Sequence, residues 1–390
     1  MDLSYSEEQV MLQDSVRRFL GDHYGFETCR RILQSGPGYS PEIWEQFAQM
    51  QWLALPFEEN DGGLGYGVTE LCLLMEEMGR ALCVEPVLAN VVLAGQLLAM
   101  LGTAEQKQRW LTPLIEGRQQ ISLAHAELPG RFDLAHCRLQ AERLEGGFCL
   151  SGHKSVVLNG PNADGFVVLA RSGGGARDAS GLSLFLVPAD APGVIRRDYA
   201  IHGGGTGCEL TLDQVRLGAD ALLGAEGGAF ETLEAVLDLA TVASCAEAFG
   251  AMQALLDKTL EYLKTRKQFG VPLASLQVLQ HRLVDMYVDI EQSRSMVLMA
   301  TLRLEGEDAA ERRRAASACK AFVHKTSKRL AQQAVQLHGG IGVTEELDIG
   351  HYFRRLTAFG SLFGDREHHL ERYLGLWQGR QKDELLRQAV

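Results

Sequence analysis

Apolar residues recur three and four positions apart through the first part of the chain, the spacing that gathers them on one face of a helix. Ser6 stands just before the first such run and can cap it. Further helical runs cover residues 41–52, 68–80, 86–101 and 104–114. The pattern predicts an all-helical N-terminal domain over residues 1–120.

The periodicity changes near Ile121, where short strand-like runs replace the helical spacing. Gly, Pro, Asn and Asp punctuate these runs, as they do between strands. The runs cover residues 147–150, 155–158, 166–169 and 182–187. The polar, glycine-rich stretch 171–180 is expected to be a loop. The pattern predicts a middle domain, residues 121–226, built as an antiparallel β-barrel or sandwich.

Helical spacing returns after Gly227 and continues toward the end of the chain. Four long amphipathic patterns are present, which is typical of a helical bundle. We therefore predict a C-terminal four-helix bundle over residues 227–390. The fold class expected from the three regions is mixed α and β, with the sheet domain between two helical domains.

Charge and cysteine content narrow the classes of partner and compartment. The chain has 38 basic and 50 acidic residues, a net charge of −12, which argues against a nucleic-acid partner. Its eight cysteines include no Cys-x-x-Cys pair, so we expect neither a metal site nor disulfides. Cys72, Cys83, Cys245 and Cys319 lie in apolar helical runs and are expected in the core. No run approaches the ~18 apolar residues of a membrane span and no signal sequence opens the chain, which predicts a cytoplasmic protein without a membrane partner.

The segment 261–286 carries the most specific pattern in the sequence. A helical run reaches Arg266, breaks at Gly270 and Pro272, and resumes at Gln277. A helix C-terminus with cations in its last turn accounts for the break but not for the whole string. No Gly-x-Gly-x-x-Gly spacing occurs in the chain, so a Rossmann nucleotide site has no support. The glycines after His202 are expected to form a plain loop.

The string Arg-x-x-Phe-Gly at 266–270 resembles the signature of the flavin-dependent acyl-CoA dehydrogenases. In that family the turn joins two bundle helices and reaches across a subunit interface, where its Arg holds the FAD pyrophosphate of the neighbouring subunit. The resemblance implies that role for Arg266, with Gln268, Phe269 and Gln277 beside the same cofactor. A guanidinium fork suits a diphosphate better than an ammonium does.

A second segment, residues 336–340, is similar to the family's Gln-x-x-Gly-Gly motif. The resemblance implies that Gln336, Leu337, Gly339 and Gly340 approach the diphosphate and adenosine portion of the other subunit's FAD. Glycine permits such a close approach of backbone to ligand. Taken alone, the two glycines are more typical of a helix C-cap than of a ligand contact. Together with the Arg266 turn, they favour the cofactor interpretation.

The family reaction removes two hydrogens from an acyl-CoA thioester, and a carboxylate takes the α proton. In most members that carboxylate is a Glu in a Tyr-Glu-Gly-Thr motif, and the matching position here is Phe363, followed by Gly364. A minority place the Glu on the first bundle helix, beside an Arg. The matching pair here is Ala240 and Thr241. Both family positions for the base therefore lack a carboxylate.

Four carboxylates elsewhere in the C-terminal region are candidates for a displaced base. They are Asp238, Glu247, Asp365 and Glu367. Asp365 and Glu367 are close in sequence to the missing Glu, but we expect them on different faces of one helix. Acidic residues of this kind are most often solvated, so none of the four is favoured strongly by the sequence.

The family's flavin cradle is altered as well. Its Thr-Glu-Pro-x-Gly-Ser-Asp loop resembles residues 126–133, where Ala126 and Phe132 replace the Thr and Ser that touch flavin and substrate. Its Trp-Ile-Thr strand corresponds to Val156, Val157 and Leu158. Each hydrogen bond lost to a buried polar cofactor costs about 1–3 kcal/mol. Several such losses together could leave the chain's own flavin pocket empty.

Three hypotheses follow. In the first, the chain is the base-less subunit of a heteromeric α2β2 dehydrogenase and completes the FAD site of a catalytic partner, as in the paired enzymes of bacterial steroid side-chain catabolism. The resemblance also implies an acyl-CoA substrate and electron-transfer flavoprotein as the acceptor. In the second, the chain is a self-sufficient homotetramer with a relocated base. In the third, it is a non-catalytic scaffold on the same fold.

Overall fold

The computed structural model describes residues 4–388, with side chains described as far as Gln378. The chain divides into two compact units. The first combines residues up to 30, residues 68–83 and those from 241 onward. The second combines residues 31–67 and 84–240. The mixed α and β fold class is confirmed, with a helical N-terminal region, a middle sheet and a helical C-terminal region.

The N-terminal region is helical, as predicted. Ser6 caps the first helix through a capping box: its hydroxyl accepts from the Gln9 N–H, and the Gln9 side chain accepts from the Ser6 N–H. The prediction of one helix over 41–52 is wrong at its end, because that helix stops at Gln49 and Gln51 turns left-handed. The helices are α1 (Glu7–His23), α2 (Phe26–Gln34), α3 (Pro41–Gln49), α4 (Val68–Arg80), α5 (Gln96–Leu101), α6 (Ala104–Gln106) and α7 (Thr112–Ile115).

Two of the predicted helical runs contain wider turns. Residues Leu88–Gly95, just before α5, and Lys107–Leu111, between α6 and α7, form π-helical turns. Thr103 caps α6 with a second capping box to Gln106. Periodicity alone predicted helices over 86–101 and 104–114, and helical structure covers most of both. It did not predict the π turns, which widen the backbone without removing the apolar spacing.

The middle region forms one eight-stranded sheet. Its strand order is β6-β7-β3-β2-β4-β5-β8, and β1 also pairs with β4. Most of its pairings are antiparallel, as predicted, but β1 and β2 each run parallel to β4. The strands are β1 (Ile121–Ala124), β2 (Gln140–Leu144), β3 (Gly147–Leu158), β4 (Gly165–Arg171), β5 (Leu182–Pro188), β6 (Val194–Ala200), β7 (Thr206–Gly218) and β8 (Leu222–Leu223).

The loops of the sheet lie where the sequence predicted them, to within a residue. Residues 172–181 connect β4 to β5, and Arg171 itself ends β4. The glycines after His202 form the turn between β6 and β7. Gly203, Gly204 and Gly205 all have positive φ, which suits glycine in a tight turn. This confirms the plain-loop interpretation of that segment.

The C-terminal region contains five α-helices within the described residues, one more than predicted. Four are long and α11 is shorter, and a small hairpin of two-residue strands separates the first two. These elements are α8 (Phe230–Thr265), β9 (Lys267–Gln268), β10 (Val271–Pro272), α9 (Gln277–Leu304), α10 (Ala309–His338), α11 (Ile349–Phe359) and α12 (Arg366–Gln388). The extra helix arises because the region after Gly339 is divided by a turn at 360–365.

Helix α8 is long and apolar enough to span a membrane, contrary to the sequence expectation that no run would approach that length. In the fold, 78% of its most apolar 18-residue window is buried inside the protein. That burial is typical of a core helix, whose apolar residues contact protein on several sides.

Helices α4 and α8 pack against each other through two glycines in the first unit. A Cβ at Gly79 would lie 1.8 Å from the carbonyl oxygen of Glu247, and a Cβ at Gly250 would lie 1.8 Å from that of Glu76. Such short distances mean that the two backbones touch at this crossing, which only glycine permits. The four expected core cysteines are buried, which confirms that prediction.

Candidate functional site

The Arg266 turn is a tight β-hairpin between α8 and α9. Strands β9 and β10 pair antiparallel, and their two-residue connection is Phe269 and Gly270, with φ of 53° and 83°. Positive φ at both positions is typical of a type I′ turn, which matches the twist of the two strands. Phe269 adopts this conformation without the freedom of a glycine, which is uncommon for a large side chain. We call residues 266–272 the Arg266 hairpin.

The Arg266 hairpin is exposed in this chain. Phe269 is 91% exposed, and Arg266 and Gln268 are also exposed. The backbone of Arg266 is fixed on both sides: its N–H donates to the Tyr262 carbonyl oxygen at 2.8 Å, and its own carbonyl accepts from the Leu273 N–H at 2.9 Å. The backbone is thus ordered while the aromatic ring and the guanidinium face outward. An arrangement of this kind can engage an anionic group outside the chain.

The exposed surface continues from the hairpin onto α9. Gln277, the first residue of that helix, is exposed. The first turns of the helix also carry large apolar side chains that are exposed: Val278, Val284, Tyr287 and Val288. Val284, Tyr287 and Val288 stand three and four positions apart and so share one helix face, and exposed apolar residues of this size on one face mark a surface for contact with another molecule. The predicted cofactor residues of the hairpin and α9 therefore lie at the edge of an apolar surface.

Residues 336–340 form the C-terminal end of α10, which we call the glycine corner. Gly339 is the C-cap, with φ of 64°, and its N–H donates to the carbonyls of Val335 and Gln336. A Cβ at Gly339 or Gly340 would meet no atom within 4 Å, so the backbone of this corner is open to approach. Gln336 is exposed. The Leu337 side chain is buried, so at that residue only the backbone is available to a ligand.

The hairpin and the glycine corner are brought together by two side chains that the sequence analysis did not single out. The rings of Tyr262 and His338 stack with centroids 4.4 Å apart and an interplanar angle of 24°. The Tyr262 hydroxyl also donates to the His338 carbonyl oxygen at 3.3 Å. The two segments therefore belong to one surface, although these residues are 76 positions apart in the chain. No sequence spacing signalled this pair.

The principal family position for the base lies in the turn between α11 and α12. Phe363 has φ of 56°, and the following Gly364 has φ of 124°. A Cβ at Gly364 would lie 2.6 Å from His369 Nε2, so glycine is required there by space as well as by conformation. Phe363 presents a phenyl ring, which cannot accept a proton.

Two buried groups hold this turn, and neither was predicted. Lys320 of α10 is fully buried, and its Nζ donates to the Phe359 carbonyl oxygen at 2.5 Å, at the C-terminus of α11. A cation favours the carbonyl end of a helix. His369 Nε2 donates to the Phe363 carbonyl oxygen at 3.2 Å. Burial lowers the pKa of Lys320 to about 8 and that of His369 to about 3, so the imidazole is neutral at pH 7.

The second family position for the base, on α8, is also without a carboxylate. Ala240 and Thr241 are both buried. Asp238, a candidate for a displaced base, is buried in the same helix. Glu247, another candidate, lies 3.4 Å from the guanidinium of Arg355. Burial raises the pKa of Glu247, and Arg355 offsets part of the rise. Glu247 is therefore engaged in an internal ion pair.

The two candidates near Phe363 occupy structural positions. Asp365 precedes α12, and its Oδ1 accepts from the His368 N–H at 2.9 Å, the bond of a helix N-cap. The expectation that Asp365 and Glu367 share a helix is therefore wrong for Asp365, which lies just before the first residue of α12. Glu367 stands in the first turn of α12 and is exposed beside Arg366. A carboxylate there is favoured by the helix dipole.

The segment similar to the flavin cradle lies in the second unit. Glu127 accepts from the N–H groups of Arg138 and Leu139 and from Lys154 Nζ, at 2.8 Å for the Lys. Lys154 is fully buried, and its Nζ also donates to the His125 carbonyl oxygen at 3.2 Å. Burial by itself would raise the pKa of Glu127, but Lys154 and the two N–H groups lower it overall. The loop is thus held by a buried ion pair.

The positions that would face a flavin carry apolar side chains in a strained strand. The Ser155 N–H donates to the Ala126 carbonyl oxygen at 2.9 Å, which places the loop against β3. β3 has an irregularity between Lys154 and Val157, and Val156 there has φ of 54°. A β-branched residue rarely adopts positive φ, and such strain is often kept at a functional site. Val156 is half exposed, whereas Val157 is buried.

Comparison with known proteins decides the family. Models of the N-terminal, middle and C-terminal domains of acyl-CoA dehydrogenases match residues 6–118, 122–215 and 228–373. The chain belongs to the acyl-CoA dehydrogenase family. The probable acyl-CoA dehydrogenase YngJ of Bacillus subtilis is 31% identical over 91% of this chain and 93% of its own length. Acyl-CoA dehydrogenase FadE12 of Mycobacterium tuberculosis is 31% identical over 88% of this chain and 89% of its own.

Two of the similar solved structures are named for a pair of polypeptides. A variant of the Tcur3481-Tcur3483 steroid acyl-CoA dehydrogenase is 30% identical with a TM-score of 0.86, covering 96% of this chain and 99% of the other. The ChsE4-ChsE5 complex of Mycobacterium tuberculosis is 26% identical with a TM-score of 0.87, covering 98% and 99%. Membership of the family makes FAD the cofactor and oxidation at a CH–CH bond the class of reaction.

The residues of this chain fit FAD on its diphosphate side. Gly339 and Gly340 leave open space for a ligand, and Arg266 supplies a cation on the surface that Tyr262 and His338 assemble. In the chain's own flavin cradle, the three positions that carry a Thr or Ser hydroxyl in the family are occupied by apolar side chains, those of Ala126, Phe132 and Leu158. Those side chains offer the isoalloxazine no hydrogen bond.

Proposed function

We propose that this chain is the base-less subunit of a heteromeric acyl-CoA dehydrogenase and completes the FAD site of a catalytic partner subunit. The assembly would be an α2β2 heterotetramer that desaturates the Cα–Cβ bond of an acyl-CoA thioester. The coarse activity, that of an FAD-dependent acyl-CoA dehydrogenase, follows from the family. Dependence on a partner is the part that we propose.

The observation that carries the proposal is an asymmetry between two sets of residues. The set that would serve a neighbour is complete, and its members are exposed except at Leu337, where only the backbone is available: Arg266, Gln268 and Phe269 on the hairpin, Gln277 on α9, and Gln336, Leu337, Gly339 and Gly340 of the glycine corner. The set that would serve the chain's own reaction lacks its reactive groups, since Phe363 and the buried Ala240 stand at both base positions. Loss of the reactive groups from the second set alone is expected when a partner subunit supplies those groups.

The chemistry of the proposed role is limited to binding and orientation. When bound, FAD supplies the hydride acceptor for the reaction. The Arg266 guanidinium would pair with the diphosphate of the partner's FAD, and the open backbone of Gly339 and Gly340 would allow close approach. Phe269 would exclude water from that contact. The partner would contribute the carboxylate that takes the α proton.

The two paired neighbours support the choice of partner and of substrate class. One is described as a steroid acyl-CoA dehydrogenase and the other as a complex of ChsE4 with ChsE5. We propose by analogy a homologous catalytic partner and a bulky, steroid-like acyl-CoA substrate. By family resemblance, electron-transfer flavoprotein would accept the electrons. Function in a reducing cytoplasm would suit the eight cysteines, all of them free thiols.

Purification of the chain alone and with a co-encoded acyl-CoA dehydrogenase tests the proposal. We expect little flavin absorbance in the chain alone, and about one FAD per pair of unlike chains in the complex, with thioester desaturation only in the complex. Stoichiometric FAD together with turnover in the isolated chain would show that no partner is needed. Arg266→Ala in the complex should weaken FAD retention, because it removes charge-assisted bonds to the diphosphate.

A self-sufficient homotetramer with a relocated base is the second candidate, favoured by one observation. Asp238 is a buried carboxylate two residues before the family's second base position on α8. If it were the base, Asp238→Asn would lower turnover of the isolated chain by orders of magnitude. Asp365→Asn tests the other candidate in the same way. An unchanged rate in both variants, or an inactive parent chain, would reject this candidate.

A further inference from the structure

The Arg266 hairpin and the glycine corner belong to the ends of different helices, α8 and α10, yet a shared ligand requires them in a fixed relative position. Tyr262, in the last turn of α8, and His338, the last residue of α10, make direct contact. Their rings stack at 4.4 Å, and the Tyr262 hydroxyl donates to the His338 carbonyl oxygen at 3.3 Å. The contact therefore links the ends of the two helices by side chain and by backbone.

Tyr262 reaches the backbone of both segments. Its own carbonyl oxygen accepts from the Arg266 N–H at 2.8 Å, at the start of the hairpin. Its hydroxyl bonds the carbonyl of the peptide that joins His338 to Gly339. That carbonyl lies in the last turn of α10, where intrahelical donors run out. The first bond is the ordinary backbone bond of a helix end, and the Tyr262 side chain adds the second. Tyr262 thus ties the helix end that leads into Arg266 to the peptide at Gly339.

The His338 ring is itself held in one orientation. It is buried, and its Nδ1 lies 2.8 Å from the Ala334 carbonyl oxygen. A carbonyl only accepts, so Nδ1 carries the proton and donates, and the ring is fixed one turn back along α10. A fixed imidazole gives the Tyr262 ring a rigid face on which to stack.

We infer that Tyr262 and His338 are positioning residues that set the geometry of the FAD diphosphate contact made by Arg266 and the glycine corner. The inference rests on the proposed function, in which this surface serves a partner's cofactor. Neither residue needs to touch FAD. Tyr262 acts through the peptide at Gly339 and through the helix end that carries Arg266, and His338 acts by supporting Tyr262.

Two substitutions at Tyr262 separate the hydroxyl from the ring. In the purified FAD-containing complex, Tyr262→Phe removes the bond to the His338 carbonyl and should raise the FAD dissociation constant about 5-fold. Tyr262→Leu removes the stack as well and should raise it about 10- to 50-fold. FAD release is followed by flavin fluorescence, and the thermal midpoint of each FAD-free chain is measured alongside.

Tyr352→Phe is the matched control. The Tyr352 hydroxyl also donates to a backbone carbonyl, that of Arg80 at 2.5 Å, in the same compact unit and outside both segments of the proposed surface. Its loss should lower the thermal midpoint by an amount similar to Tyr262→Phe while leaving FAD release unchanged. An equal effect of the two variants on FAD release would mean that general stability, and not positioning, governs it.

Arg266→Ala distinguishes a failure of the proposed function from a failure of the positioning role. If that variant retains FAD like the parent complex, the proposed function is wrong. If Arg266→Ala loses FAD while Tyr262→Phe and Tyr262→Leu retain it, only the positioning role is wrong.

A double-mutant cycle completes the test. Arg266→Ala and Tyr262→Leu should be non-additive in FAD affinity, because Tyr262 acts through the position of Arg266. Strict additivity would overturn the inference. If Tyr262→Leu fails to fold, Tyr262→Phe, which keeps the ring, carries the same cycle.

Discussion

At the scale of single residues, burial changes the chemistry of several charged groups, and Glu76 is the clearest case. It is 8% exposed at the crossing of α4 and α8, next to Glu77. Burial raises the pKa of Glu76 to about 7, and the charge of Glu77 adds to the rise, while Arg294 and Arg17 offset part of it. The folded chain therefore holds a proton on this carboxyl more tightly than the unfolded chain does.

This pKa predicts a pH-dependent stability. Between the ordinary pKa of 4.5 and about 7, the folded state binds more protons at Glu76, so the free energy of unfolding falls as pH rises through that window. Glu76→Gln removes the free-energy cost of burying the ionised carboxylate. It should therefore raise the free energy of unfolding by about 1–3 kcal/mol at pH 8. The gain should be smaller at pH 5. Urea unfolding of both proteins at the two pH values measures it.

Glu77→Gln is the control, and its expected effect has the opposite sign. The Glu77 carboxylate accepts from Nε and Nη2 of the Arg17 guanidinium, at 3.0 Å and 2.6 Å. Its loss should lower the free energy of unfolding by roughly 1 kcal/mol at pH 8, since Arg17 is about half exposed and water screens the pair. Stabilisation by Glu77→Gln, or destabilisation by Glu76→Gln, would contradict this account of the two carboxyls.

At the scale of elements, the contact between α4 and α8 depends on glycine. Gly79→Ala would place a methyl group 1.8 Å from the Glu247 carbonyl oxygen, which forces the helices apart. We expect a loss of about 2–4 kcal/mol in unfolding free energy, measured by urea titration. Gly21→Ala in α1 is the matched control, because its Cβ would meet no atom within 4 Å. That variant should gain roughly 0.5–1 kcal/mol from helix propensity. Two changes of the same sign would refute the packing argument.

The hairpin between α8 and α9 makes a second prediction at this scale. Phe269 occupies a left-handed position and is almost wholly exposed, so its ring does little for the isolated chain. Phe269→Asn should keep or slightly raise the thermal midpoint, because Asn tolerates this conformation better. The same change should weaken association with the partner subunit, measured by titration of the two chains. Met11→Gln is the control: it changes an exposed apolar residue of α1, far from the hairpin in sequence, and should leave that association unchanged.

At the scale of the whole molecule, the chain buries nearly all of its thiols. Seven of the eight cysteines are buried and Cys149 is partly exposed. Burial raises the pKa of Cys72 and of Cys208 to about 12, which disfavours the reactive thiolate. We expect a thiol reagent such as Ellman's to modify at most about one cysteine quickly in the native protein at pH 8, and all eight in denaturant. Rapid reaction of three or more in the native state would contradict this burial.

More of the fold than of the site's geometry could be predicted from the sequence. Helical and strand spacing located α4 at its observed ends and the change to β structure near Ile121, because these are properties of neighbouring residues. The same reasoning extended one helix too far, past Gln49, where a left-handed residue ends it. It also missed the parallel pairing of β1 with β4, since pairing direction depends on the path of the chain and not on spacing.

What the sequence by itself determined is chemical identity: a phenyl and a methyl group where the family has its carboxylate, and Arg266 with the glycine corner intact. These are facts of residue type, which need no coordinates. Only the tertiary structure decided that Tyr262 stacks on His338, and that buried Lys320 and His369 hold the turn at Phe363. Such contacts join residues far apart in the chain, and they form because packed helices bring their ends together, a relation that no local pattern encodes.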